Sequence, residues 1–220
     1  MQNIRVIFSE EQDRIRHEIS SMAALVDENL GKALSALRNS DADLAREVKA
    51  ADAAINDMQL KIEDEAAVLI ATQQPVATDL REMVTVFKLT VNLERAGDHA
   101  VHLARTVIKL SGKASFRAME HLEKMAETGQ EMIRAALAAF LIRDAEAARK
   151  AAALDDIIDG EHKTLSREVL RLMKKRPELM KKALRILQTS SHLERLGDHI
   201  TNICEAIVYM AESRHEELNE

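Results

Sequence analysis

Apolar residues recur at three- and four-residue intervals along nearly the whole chain. Within about 9–38, Met22, Leu25, Val26, Leu30, Ala33, Leu34 and Leu37 keep the i, i+3, i+4 rhythm of one helix face. The polar turn Asn39-Ser40-Asp41 ends that run, and Ser40 or Asp41 is placed to cap the next helix. Further helices are predicted over about 42–72 and 76–110, the latter ending near Ser111-Gly112. The rhythm then starts again: about 115–142, a turn at Arg143-Asp144, about 145–174, then 177–213.

That second round is a repeat. NLERAGDHA at 92–100 returns as HLERLGDHI at 192–200, so L-E-R-x-G-D-H appears twice, one hundred residues apart. Pro75 and Pro177 each close one helical run and open another, where a missing N–H costs nothing. The fold class is therefore all-α, with two tandem antiparallel three-helix bundles related by internal duplication. The repeats are expected over 1–112 and 113–220, with helices of about 30 residues, roughly 45 Å long, and connections short enough to make neighbours antiparallel.

Composition narrows the class. Of 220 residues, 46% are hydrophobic, 31% charged and only 2% aromatic, with six Gly and two Pro, as long helices require. A net charge of −6 gives no basic field for a phosphate backbone, so nucleic acid is not an expected partner. The dense basic stretch Lys174-Lys175-Arg176, with Lys181-Lys182, reads as a solvated turn at a helix C-terminus. The first residues lack the apolar core of a secretion signal, and the longest apolar run, Ala135 to Ile142, is too short to span a bilayer. Cys204 has no partner for an internal disulfide, which fits a reducing cytoplasm, and reads as a small buried hydrophobe. Ala135, Ala136, Ala138 and Ala139 offer a flat face for close helix approach, from which a homodimer is expected.

The repeated stretch carries the candidate chemistry. At 100° per residue, Leu80, Met83, Val84, Phe87 and Val91 share a face that continues into Glu94, Asp98 and Val101. Met180, Leu184 and Leu187 lead in the same way into Glu194, Asp198, Asn202 and Glu205. Carboxylates at i and i+4 stand one above the other and repel. Solvent, nearby cations such as Arg95 and Arg195, or a metal ion would relieve that repulsion. Gly97 and Gly197 each cost about 1 kcal/mol relative to Ala in a helix interior, a cost that makes sense where a helix or ligand approaches closely.

The preceding helices offer partners. Asp155 and Asp159 lie at i and i+4 with His162 on their side, and Asp52 and Asn56 share that spacing, with Gln59 and Glu63 continuing the stripe. An antiparallel hairpin brings each set towards the acids of the following helix. Oxygen donors of this kind suit a hard cation such as iron(III), manganese, magnesium or calcium, in one or several ions. Zinc is disfavoured because no Cys or His cluster of ligand spacing is evident. His99 and His199 fall about 100° from the stripe and are expected to support or stay on the surface. His102 and Arg105 stand where the second half has Asn202 and Glu205, so the first site is expected to be less acidic and weaker. An enzyme is not expected: di-iron bundles need Glu-x-x-His on two helices, and only Glu212-x-x-His215 occurs, at a C-terminus expected to fray. A metal-free adaptor whose acidic stripe docks a basic helix is the alternative.

The two copies of L-E-R-x-G-D-H, the second running into ITNICE at 200–205, together with QQPVATDLR at 73–81 and the tandem layout, make nearly the whole chain resemble the PhoU family. The resemblance implies that E(D)xxxD elements bind multinuclear metal clusters, most often iron, at Glu94, Asp98, Glu194, Asp198, Asp155 and Asp159. Asn56 departs from that pattern by offering an amide beside Asp52, and the second half reads PELMKKALR where the first has P-x-A-x-D-L-R. The resemblance also implies a function: negative regulation of the phosphate regulon and of phosphate uptake. The chain would act as an adaptor between the ATPase subunit of the phosphate ABC transporter and the membrane sensor histidine kinase.

Overall fold

A computed structural model describes residues 2–109 and 116–219. The expected boundary at 112/113 lies outside the described residues. The first repeat is α1 (Gln2–Asn39), α2 (Ala42–Gln73) and α3 (Ala77–Lys109). The second is α4 (Phe116–Ile142), α5 (Ala145–Ala152), α6 (Asp155–Lys175), a 3-10 turn (Pro177–Leu179) and α7 (Met180–Glu212).

The same local device opens the middle helix of each repeat. Ser40 and Arg143 adopt left-handed φ of 54°, and the following Asp41 and Asp144 donate backbone N–H bonds to Ala36 and Ala139, closing a Schellman motif. Each Asp then turns its carboxylate onto the next helix: Asp41 accepts from the amides of Asp43 and Leu44, Asp144 from those of Glu146 and Ala147. Of the two candidate caps, Asp41 is the one used, with Ser40 in the αL position.

One departure lies in the second repeat. The single helix expected over 145–174 is two, broken at Ala153-Leu154, where Leu154 N–H reaches Ala151 O and Ile157 N–H reaches Leu154 O. These i→i+3 bonds overwind the chain just before Asp155, whose carboxylate packs against Gly197 of α7. No Gly or Pro marks the spot. The end of the second middle helix also differs: Gln74 closes α2 in the αL conformation, whereas Arg176 closes α6 at φ −139° and ψ 75°, ahead of the 3-10 turn.

Buried apolar side chains run through both repeats as one core, from Ile15, Met22 and Leu30 of α1 to Leu193, Ile200 and Ile207 of α7. The stripe expected to lead into the acids straddles the edge of that core face. Leu80, Val84 and Val91, like Met180 and Leu184, are exposed, whereas Met83 and Val101 are buried and Phe87 and Leu187 pack partly buried against the core. The centre of the buried face lies further round, at Val86, Leu93 and Ala100. Glu94 and Glu194 consequently sit at the rim of the core, half-buried. Ala136 and Ala139 lie in the core and are not available to a flat surface.

α3 and α7 cross the seam between repeats antiparallel. Thr106 meets Thr189 at 2.8 Å, Asn92 meets His199 at 2.9 Å, and Thr85 Oγ1 donates to Ala206 O at 3.2 Å. Exchanging each residue with its equivalent one hundred positions away maps the Asn92–His199 contact onto the His99–His192 contact, and His99–His199 onto itself. The duplication is thus expressed as a pseudo-dyad through the His99–His199 pair. α1 and α4 join the repeats elsewhere, with Gln130 donating to Asp27 and Arg38 paired to Glu123 and Glu127.

Candidate metal centre

Asp155, Asp159, Glu194 and Asp198 line a single cleft of about 410 Å³ between α6 and α7, rimmed by Arg149, Ala152, Ala153, Asp156, Leu218 and Asn219. Four sequence-predicted acids are therefore brought together. Asp155 is 7% exposed. Its Oδ2 accepts a long bond from Thr201 Oγ1 at 3.5 Å, while its Oδ1 is buried with no hydrogen-bond partner among the described residues. Burial, followed by the charges of Asp198, Asp159 and Glu194, pushes its carboxyl up to about 7. Burial and the same neighbours also raise Glu194 and Asp198. The chain supplies some cationic relief: Lys163 pairs with Asp159 at 2.7 Å. His162, bonded to Ser190 at 2.6 Å, and Arg195 favour the charged form of Glu194, and His199 and Arg195 favour that of Asp198.

Gly197 allows this arrangement. A Cβ there would overlap Asp155 Oδ1 and touch Asp155 Cγ, so a side chain on α7 would displace the carboxylate from its seat. Gly97 differs: its missing Cβ faces Ile55 Cδ1 at 3.0 Å, not Asp52.

The first repeat gathers Asp52, Glu94 and Asp98 more loosely. Burial and the charge of Asp98 raise both Asp52 and Glu94, but Arg95 spans the pair, 3.4 Å from Glu94 and 3.2 Å from Asp98. Asn56 is exposed on α2. Asn202 and Glu205 do not join the second cleft. They line a neighbouring one with Lys88 and Asn92, where Asn202 reaches Asn92 at 3.5 Å and Glu205 accepts the backbone N–H of Leu218 at 2.9 Å. The helical stripe placed them one and two turns beyond Asp198, but α3 occupies that side of α7.

The segment after α7 is seated instead of frayed. His215 stacks on Tyr209 with ring centroids 4.3 Å apart, and Glu212 and Glu216 both hold Arg149. Asn219 Nδ2 donates to Asp198 Oδ1 at 3.1 Å. Arg149, Leu218 and Asn219 are site residues with no local signal in the sequence.

A second group was equally hidden. His99 and His102 of α3 and His192 and His199 of α7 assemble on the seam, His102 and His192 stacked at 3.8 Å. His99 is buried, not at the surface. Burial, with the neighbouring imidazoles, pushes His99 down to about 3, and burial beside His102 pushes His192 down to about 4. Cys204 is buried and its thiol is pushed up to about 12 by burial, so it is inert.

The donor chemistry of the second cleft fits a hard cation: oxygen only, several negative charges and an orphaned buried carboxylate oxygen. Among the described residues, no three His, Cys, Asp or Glu side chains converge on one point as they stand. An ion therefore requires the carboxylates to rotate onto it. No described helix is long and apolar enough to cross a membrane.

Comparison with known proteins places both halves in one family. The PhoU domain model matches residues 19–107 and 122–207. A phosphate-specific transport system accessory protein PhoU homolog of Pseudomonas putida is 34% identical over 92% of this chain and 80% of its own length. The homolog of that name from Clostridium acetobutylicum is 31% identical over 98% of this chain and 99% of its own. Among solved structures, PhoU from Pseudomonas aeruginosa aligns with a TM-score of 0.90 at 34% identity, covering 94% of this chain and all of that one. The phosphate transport system regulatory protein PhoU from Streptococcus pneumoniae aligns at 0.88 and 33%, covering 95% and 99%.

Proposed function

The chain belongs to the PhoU family, and from that premise we propose that it is an accessory protein of a phosphate-specific transport system, a non-catalytic negative regulator of phosphate uptake and of the phosphate regulon. In this reading it is a cytoplasmic homodimeric adaptor, peripheral to the membrane. It links the ATPase subunit of the phosphate ABC transporter to the sensor histidine kinase. The observation that carries the reading is the match of the PhoU domain to both repeats, with relatives of that name aligned along most or all of their length.

The adaptor is also proposed to hold a hard cation, iron foremost, with manganese, magnesium or calcium as alternatives. Asp155, Asp159, Glu194 and Asp198 would hold it. The ion would neutralise mutually repelling carboxylates and tie α6 to α7. The orphaned Oδ1 of Asp155 supports this for the second repeat. In the first repeat, Arg95 between Glu94 and Asp98 favours the metal-free reading.

Affinity purification from phosphate-replete and phosphate-starved cells tests the adaptor role. The transporter ATPase and the kinase are expected among the retained proteins. Recovery of neither under both conditions overturns it. Light scattering after size exclusion tests the dimer, which a monomer at every concentration would refute.

A further inference from the structure

The second acidic cleft is covered by the chain's own C-terminal segment. α7 ends at Glu212 and is capped by Ser213, whose φ of 58° turns the backbone out of the helix. The segment then runs back beside α7, fixed at three places. Glu216 holds Arg149 through both carboxylate oxygens, at 3.1 and 2.8 Å. Leu218 donates its backbone N–H to Glu205 and packs against the core. Asn219 donates its amide to Asp198 Oδ1, an oxygen of the cleft itself. Leu218 and Asn219 rim the cleft beneath which Asp155 Oδ1 lies without a partner. In the first repeat Arg95, on the same helix, pairs directly with Glu94 and Asp98.

We propose that Leu218 and Asn219 form a strap that a hard cation must displace from Asp198 to enter the second cleft. The inference rests on the cation reading given above. No three of the described acids converge on one point as they stand, so an ion needs Asp198 to rotate, whereas the Asn219 amide holds Asp198 Oδ1 in its present orientation, and the two events compete. Competition is reciprocal: releasing the strap strengthens cation binding, and cation binding releases the strap. Release also frees the Leu218 amide from Glu205. Ion occupancy thereby becomes a change of surface at the α5–α7 end of the molecule.

The test uses metal-stripped protein titrated with Mn2+, the free ion followed by electron paramagnetic resonance. The full chain is compared with Asn219→Ala and with a chain ending at Glu217, which retains Glu216 on Arg149. A neutral donor on a carboxylate contributes about 1.5 kcal/mol, so both variants should bind Mn2+ about tenfold more tightly. Hydrogen exchange at Leu218 in the full chain should accelerate on adding Mn2+. Equal affinity in all three proteins, with Leu218 exchange unchanged, overturns the strap and leaves the cation site standing. Weaker binding in the variants also overturns it, by making Asn219 a ligand. No binding by any of the three overturns the cation reading and the strap with it.

Discussion

Gly97 and Gly197 occupy the same place in the duplicated wording and meet different neighbours, the tip of Ile55 and the carboxylate of Asp155. Gly197→Ala therefore forces Asp155 to move and should cost about 1–3 kcal/mol in chemical denaturation, as overpacking does. Gly97→Ala gains helix propensity against a tight contact with a side-chain end and should stay within about 1 kcal/mol of the parent. Gly160, with nothing within 4 Å of its missing Cβ, is the control: Gly160→Ala should stabilise by up to about 1 kcal/mol. Asp155 gives a pH signature. Its folded carboxyl titrates near 7, above the unfolded value of about 3.9. The folded state thus binds this proton more tightly, and the contribution is complete below about pH 4 and lost as pH rises through 7. Metal-free protein should melt at progressively lower temperature across that window, and Asp155→Asn should flatten the dependence. An unchanged slope in the variant would locate the titration elsewhere.

At the scale of elements, Glu82 is a buried tie between three parts of the chain. It is 1% exposed on α3 and bonded by Arg16 of α1 at 2.6 and 2.9 Å and by Arg143 of the α4–α5 turn. Glu82→Ala should cost about 2–3 kcal/mol, short of a fully buried pair because both arginines can turn to water. Full stability in that variant would contradict the assignment. Helix order and most ends were legible in the sequence, because period, turn chemistry and proline placement agree: Asp41, Asp144, Pro75 and Pro177 all mark real boundaries. The break at Ala153-Leu154 was not legible, because nothing local causes it. It belongs to the packing of Asp155 on α7. The acids of one hairpin were legible because i and i+4 spacing places them on facing helices. Asn202 and Glu205 were misplaced because the identity of the helix beside α7 is a tertiary fact. The histidine group and the strap were unreadable for the same reason, being assembled from α3 with α7 and from α5 with the C-terminal segment.

On the scale of the whole molecule, the pseudo-dyad through His99 and His199 relates an acidic group in each repeat, and the two groups are unequal. The first has Asn56 for Asp159 and an arginine across its acids, and the second has four carboxylates, an orphaned oxygen and a strap. Cation loading should therefore be asymmetric. Chelation should lower the melting temperature of the loaded protein, because an ion bound only by the folded state stabilises it by mass action. The second cleft is the proposed cation site, and elemental analysis of purified protein tests it most directly. Three proteins are compared: the parent, Asp155→Asn with Asp198→Asn, and Glu94→Gln with Asp98→Asn. The expected result is a tightly held hard cation in the parent, lost from the second-repeat variant and mostly retained in the first-repeat variant. Equal metal content in all three, or none in the parent, would contradict it.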